Sequence, residues 1–133
     1  MKSIIIILVA LLSFGCKAQN SLVKEVENSQ LNNFTGRLVS YKSYDLKDNF
    51  IRVFITANDS GSAHNDGTGE VSQNIFISNC NDGETLDCKL YLDENMINII
   101  VEKVYEDNKT IYIDISFGNF DKRKVKKIVI VKT

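Results

Sequence analysis

The last forty residues alternate apolar and polar side chains with a period of two, the spacing of a β-strand with one buried face. The alternation is clearest over residues 110–117, where isoleucines at every second position oppose threonine, tyrosine, aspartate and serine. It recurs over residues 97–106 and 124–132, and short turn sequences separate the three segments. The pattern predicts antiparallel hairpins with one face in a core and one in solvent.

Four more strands are predicted upstream, over residues 38–44, 50–57, 71–80 and 88–92. The second of them carries apolar side chains on both faces, so we expect it to be central in its sheet. About seven short antiparallel strands indicate an all-β domain, either a β-sandwich or a small barrel. We expect this domain to occupy residues 37–133.

The N-terminus has the pattern of an export signal. Lys2 precedes a run of nine apolar residues from Ile4 to Leu12, and Gly15 and Cys16 follow. Nine residues are too few to cross a bilayer core, which takes about 20. A positive charge, a short apolar run and a small residue are typical of a secretory signal. Residues 1–15 are therefore predicted to be a signal peptide that is removed.

Residues 11–16 read Leu-Leu-Ser-Phe-Gly-Cys and resemble the lipobox of bacterial lipoproteins. Gly15 matches the small residue before the cleavage point, whereas Ser13 departs from the usual leucine. The resemblance implies a diacylglycerol on Cys16 and an acylated, usually palmitoylated, amine, and two or more acyl chains hold a protein firmly on a membrane. Lys17 at the next position favours the outer membrane. Residues 16–36 would then form the lipidated cysteine and a tether or short helix.

The other two cysteines, Cys80 and Cys88, are an even pair that brackets a short polar loop between strand-like segments. Exported proteins tolerate disulfides, so we predict that this pair is oxidised. The alternative is a thiol or metal pair. Two cysteines with a single distant histidine make a poor zinc site, so no metal is predicted.

Charge is unevenly distributed along the chain. Residues 45–107 carry 13 acidic and 4 basic side chains, whereas residues 108–133 carry 7 basic and 2 acidic ones. The basic end could contact an acidic partner or anionic lipid. The favoured alternative is a solvent-facing last strand whose lysines pair with acidic residues of the same fold. Nucleic acid is not an expected partner, since the exported chain is slightly acidic and has no nucleic-acid motif.

The glycine-rich segment 58–70 contains His64, the only histidine, between Asp59 and Asp66. Neighbours within one glycine loop do not form a preorganised triad, so no catalytic residue is predicted. A calcium-loop frame fails because Gly61 and Ala63 stand where oxygen ligands belong. The segment is predicted to be a surface loop, and Asp59, His64 and Asp66 are candidates for contact with a partner.

The loop between the paired cysteines carries Asp82, Glu84 and Asp87, and it is the second candidate contact with a partner. We expect a non-enzymatic, lipid-anchored cell-envelope protein that needs no cofactor and whose β-domain binds another protein. The alternative is a periplasmic inhibitor or immunity protein against a cell-wall hydrolase or toxin, because an acidic loop suits a cationic enzyme.

Overall fold

The computed structural model describes residues 25–58, 72–85 and 87–132 and shows one short helix followed by seven antiparallel strands. Helix α1 spans Ser29–Gly36. The strands are β1 Leu38–Asp45, β2 Asn49–Ala57, β3 Ser72–Asn81, β4 Cys88–Ile97, β5 Ile100–Asp107, β6 Thr110–Phe117 and β7 Lys124–Val131.

The strands form two sheets, each with its strands in sequence order. Sheet A has the order β1-β2-β3-β4, and sheet B has the order β5-β6-β7. Neighbours along the chain pair in both sheets, as short connections between antiparallel strands require. The predicted all-β class is confirmed, and β2 is central. Of the two predicted architectures the sandwich is correct and the barrel is wrong, because the two sheets remain separate.

The core lies between the two sheets and is built largely of isoleucine. Alternate residues of β2, β3 and β6 point inward, so branched side chains from both sheets fill one layer. The side chains with almost no exposure are Ile51, Val53, Ile75, Ile77, Ile111, Ile113 and Ile115. The cluster is completed by Ile55, Met96, Ile99, Val101 and Ile130.

Two predicted strand boundaries and one predicted face were wrong. Strand β4 continues to Ile97 instead of ending at Leu92, and β5 begins at Ile100 instead of residue 97. The chain changes sheets between them, and Asn98 adopts a left-handed φ of 50° at this corner. An extra residue in β5, between Val101 and Lys103, then reverses the alternation. Tyr105 consequently lies on the outer face, whereas the alternation over residues 97–106, if uninterrupted, would place it on the same face as Val101.

A hydrogen-bond network holds this corner against the loop between β6 and β7. The Arg123 guanidinium donates to the carbonyl of Asn98 at 2.8 Å and to the hydroxyl of Ser116 at 2.9 Å. Ser116 in turn donates to the Glu102 carboxylate. The backbone N–H of Gly118 donates to the Ile97 carbonyl at 2.6 Å. Gly118 has a φ of 107°, which L side chains rarely adopt, so the position favours glycine.

Candidate functional site

The predicted disulfide is present at one end of sheet A. Cys80 on β3 and Cys88 on β4 are directly opposite in the register, with an S–S distance of 2.08 Å. The Cys80 side chain is buried and Cys88 is exposed. The bond closes the loop that connects the two strands.

Backbone hydrogen bonds further fix this loop. The Asn81 N–H donates to the Asp87 carbonyl at 3.1 Å, and the Asp87 N–H donates to the Asn81 side-chain oxygen at 2.8 Å. The Asp82 N–H donates to the Asp48 carbonyl at 3.1 Å, which joins the loop to the β1–β2 turn. The loop is therefore held at three points.

Three predicted contact residues, Asp82, Glu84 and Asp87, are exposed on this loop, and exposed Asp48 joins them from the neighbouring turn. We call these four residues the acidic end. Within the described ranges, no group of three or more histidine, cysteine or carboxylate side chains is arranged to hold a metal ion. What the acidic end offers is a fixed set of negative charges to a positively charged surface.

The other predicted contact residues, Asp59, His64 and Asp66, lie outside the described residues, as does Cys16. Asn58 and Ser72, which flank the first three, are joined by a hydrogen bond from Asn58 N–H to the Ser72 carbonyl at 2.8 Å. Within the same described ranges, no helix is both long and apolar enough to cross a membrane.

The outer face of sheet A carries a line of large apolar side chains at one level of the register. Tyr41 pairs with Phe54, Phe54 pairs with Phe76, and Phe76 pairs with Leu92, so the line crosses all four strands. We call these four residues the aromatic row. Cross-strand neighbours on one face stand about 5 Å apart and therefore present one continuous surface.

Helix α1 covers only the middle of the aromatic row. Phe34 makes edge-to-face contacts with Phe54 and Phe76, at ring-centroid distances of 5.5 and 5.6 Å. Tyr41 and Leu92, at the two ends of the row, remain 50% and 49% exposed. Leu90, two residues along β4 and on the same face, is 65% exposed. The row is thus a partly covered apolar surface with open ends on both sides of the helix.

The helix begins and ends with local hydrogen bonds. The Asn28 side chain accepts from the Leu31 N–H at 3.0 Å and caps the N-terminus, as asparagine commonly does. The Thr35 hydroxyl donates to the Leu31 carbonyl at 2.9 Å near the other end. No α1 residue is buried. The ring of Phe34 is therefore the principal apolar contact that the helix makes with the sheet.

A cleft of about 340 Å³ lies where α1 meets the end of sheet A. Its lining includes Gln30, Asn33, Arg37, Asn74 and Glu94 around the rings of Phe34 and Phe76. Neutral amides outnumber charged groups in this set. The cleft adjoins the aromatic row, because Phe34 and Phe76 belong to both.

The lysines of the C-terminal segment pair with acidic residues of the same fold. Lys126 bonds Asp93 of sheet A, Lys132 lies 2.8 Å from Glu106, and Lys127 lies 3.8 Å from Asp114. For these three lysines, the structure therefore shows the favoured prediction, in which basic side chains of the C-terminal segment pair with acidic residues of the same fold.

Lys127 also crosses the outer face of sheet B to donate to the Tyr105 hydroxyl at 2.8 Å. The hydrogen bond to Tyr105 and the charge of Asp114 raise the pKa of Lys127 above its usual value. Tyr105 stacks on Tyr112 with ring centroids 5.2 Å apart.

The sequence indicated the acidic end but not the aromatic row. Two cysteines around an acidic turn mark such a loop directly. The row depends on how four strands are aligned with one another and on a side chain from the helix. Alternation within a single strand predicts neither of these. The one feature of the sequence that indicated an apolar outer surface was the presence of Phe50 and Phe54 on the otherwise polar face of β2.

In comparisons with known proteins, no family model, no curated protein and no solved structure matches this chain.

Proposed function

We propose that this chain is a lipid-anchored protein of the cell envelope whose β-sandwich binds another protein through the aromatic row, without catalysing a reaction. The lipobox resemblance at Cys16 supports the anchor, and Lys17 favours the outer membrane. The disulfide between Cys80 and Cys88 suits an exported protein. The bilayer and a protein are then the two partners, and neither cofactor nor nucleic acid is required.

The observation that carries the protein-binding proposal is the exposure of the two ends of the aromatic row. Tyr41 and Leu92 are about half exposed, and Leu90 extends the same face. Large exposed apolar side chains that share one face of a sheet commonly mark a contact with another protein. Binding energy at such contacts is concentrated in a few aromatic and apolar anchors. Tyr41 and Leu92 are the anchors that the geometry favours.

The test replaces one anchor by lysine in the full-length, tagged chain. Leu92→Lys should reduce recovery of the partner from the envelope at least tenfold, because a desolvated charge costs more than about 1.4 kcal/mol. Ile100→Lys is the matched control, since Ile100 is 44% exposed but lies in sheet B. Recovery is measured by quantitative mass spectrometry of co-purified proteins. Equal losses with both variants, or no loss with Leu92→Lys, would overturn the proposal.

The acidic end favours a second candidate, an inhibitor or immunity protein against a cationic cell-wall hydrolase or toxin. Its four carboxylates are exposed and their loop is fixed, which lowers the entropy cost of binding. The variant Asp82→Asn/Glu84→Gln/Asp87→Asn should bind such an enzyme with a slower association rate and weaker salt dependence. Stopped-flow association at two salt concentrations measures both. Unchanged association would exclude the acidic end as the contact.

A further inference from the structure

Strand β7 is the one edge strand in the described part of the chain that pairs with its neighbour without interruption. The other three edge strands, β1, β4 and β5, each carry an extra residue that breaks the register. By contrast, β7 pairs with β6 through eight consecutive residues. Bulges protect an exposed sheet edge from pairing with another strand. This protection is lacking at β7.

The outer face of β7 is also apolar. Val125, Val129 and Val131 are 79%, 53% and 66% exposed. Lysines usually protect such an edge, and residues 124–132 contain four, but the ammonium groups of three of them are directed elsewhere. Lys127 bonds Tyr105 on the far strand β5, Lys126 bonds Asp93 in sheet A, and Lys132, just beyond the strand, bonds Glu106. The ammonium groups of these three lysines are thus paired and drawn away from the edge, whereas Lys124 is exposed at the start of the strand.

The hydrogen bonds of β7 identify the backbone groups that face outward. The Lys132 N–H donates to the Lys109 carbonyl at 2.8 Å, so even-numbered residues of the strand bond β6. The N–H and C=O groups of Val125, Lys127, Val129 and Val131 consequently point to the outer edge of sheet B, where the described part of the chain places no strand. These same residues carry the side chains of the outer face.

We propose that β7 pairs antiparallel with β7 of a second copy of this chain, with the two-fold axis at Ile128, so that two sheets B form one six-stranded sheet. This register places Val125 opposite Val131 and Lys127 opposite Val129. All four outward N–H groups and all four outward carbonyls of each copy then have partners. A register centred on Lys127 would instead place Val131 opposite Arg123, which lies before the start of the strand, so the outward groups of Val131 would have no partners.

In this register, the side chains on the inner face of the two β7 strands are also compatible with pairing. Ile128 meets Ile128 of the second copy at the axis, and Lys126 meets Ile130. Lys124 lies opposite Lys132, whose ammonium is already bound by Glu106. The second copy joins the edge of sheet B in the plane of the sheet, so the aromatic row on sheet A stays uncovered. The dimer and the proposed partner contact are therefore independent.

The test introduces one cysteine at the proposed two-fold axis of the dimer. It uses the full-length chain in the cell envelope. The two copies of residue 128 would form a non-hydrogen-bonded antiparallel pair, the same kind of pair as Cys80 and Cys88. Ile128→Cys should therefore yield a disulfide-linked band at twice the monomer mass on a non-reducing gel. Val125→Cys is the control and should stay monomeric, because its two copies would lie about 20 Å apart along the strand.

A second pair of variants, each combined with Ile128→Cys, tests the backbone pairing. Val129→Pro removes an outward N–H and should lower the fraction of linked dimer at least tenfold, whereas Val129→Thr retains the N–H and should leave it unchanged. Circular dichroism checks that both variants stay folded. Absence of the Ile128→Cys dimer, an adduct of different mass that indicates another protein at this edge, or an equal yield from Val125→Cys would overturn the proposal.

Discussion

At the scale of single residues, the disulfide between Cys80 and Cys88 has the clearest energetic role. It closes the loop that carries Asp82, Glu84 and Asp87, while the hydrogen bonds of Asn81 fix the loop's conformation. The stability of the loop and its readiness to bind both depend on this bond. Cys80 is fully buried, so alanine is a better replacement than a polar residue at that position.

Removal of this disulfide should lower the free energy of unfolding by about 2.5 kcal/mol, the loop-entropy cost for a closed loop of about 9 residues. The variant Cys80→Ala/Cys88→Ala is compared with the oxidised protein by urea unfolding. Reduced wild-type protein is the control and should lose a similar amount of stability. Equal urea midpoints for oxidised and reduced protein would contradict this assignment.

Tyr44 supplies a pH-dependent signal from the edge of the core. Burial raises the pKa of its hydroxyl above the usual 10.0, because the phenolate is disfavoured away from water. The folded state therefore binds this proton more tightly than the unfolded state. The resulting stability is complete below about pH 10 and is lost as the pH rises through the higher folded pKa.

We therefore expect Tyr44 to give a late step in an alkaline titration followed by tyrosinate absorbance. Tyr44→Phe should remove that late step and flatten the decline of stability above pH 10. Tyr41→Phe, at an exposed position on the same strand, is the control and should leave the late step in place. A late step that survives Tyr44→Phe would assign the shift to another tyrosine.

At the scale of elements, helix α1 depends on the sheet beneath it. Eight residues are too few for a stable helix in water, and no α1 residue is buried. The two edge-to-face contacts of Phe34 are what hold it on Phe54 and Phe76. The helix in turn determines which part of the aromatic row stays open.

Phe34→Ala should release α1 and lower the free energy of unfolding by about 2 kcal/mol, since a partly buried ring and two aromatic pairs are lost. Hydrogen exchange should show lost protection over residues 29–36 while β2 and β6 stay protected. Leu31→Ala is the matched control on the same helix, with a 48% exposed side chain. It should change stability by less than about 0.5 kcal/mol. Retained helix protection in Phe34→Ala would contradict this role.

The sequence predicted those elements whose side chains alternate without interruption. Residues 110–117 have a clean period of two, and β6 occupies that segment. The errors fall where a bulge or a left-handed residue interrupts the period, at Asn95, Asn98 and Glu102. Such interruptions depend on which strand lies alongside and on where the chain changes sheets. The alternation of side chains within one strand predicts neither the neighbouring strand nor the position at which the chain changes sheets.

At the scale of the whole molecule, the three proposed contact surfaces lie on different parts of the fold. The aromatic row lies on the outer face of sheet A, the acidic end lies at the disulfide-closed end of that sheet, and the regular edge of β7 belongs to sheet B. The acidic end could be predicted because its residues are close in sequence. The aromatic row and the β7 edge could not, because both arise from the register between strands. We propose that the lipid at Cys16 holds this arrangement at the membrane.

The most direct test of protein binding through the aromatic row is site-specific photo-crosslinking in intact envelopes. A photoreactive amino acid is placed at Leu92 or, as control, at Ile100, which is similarly exposed but lies in sheet B. We expect one discrete heavier adduct from position 92, lost when Tyr41→Lys is added, and no such adduct from position 100. The same adduct from both positions, or none from position 92, would contradict protein binding through the aromatic row.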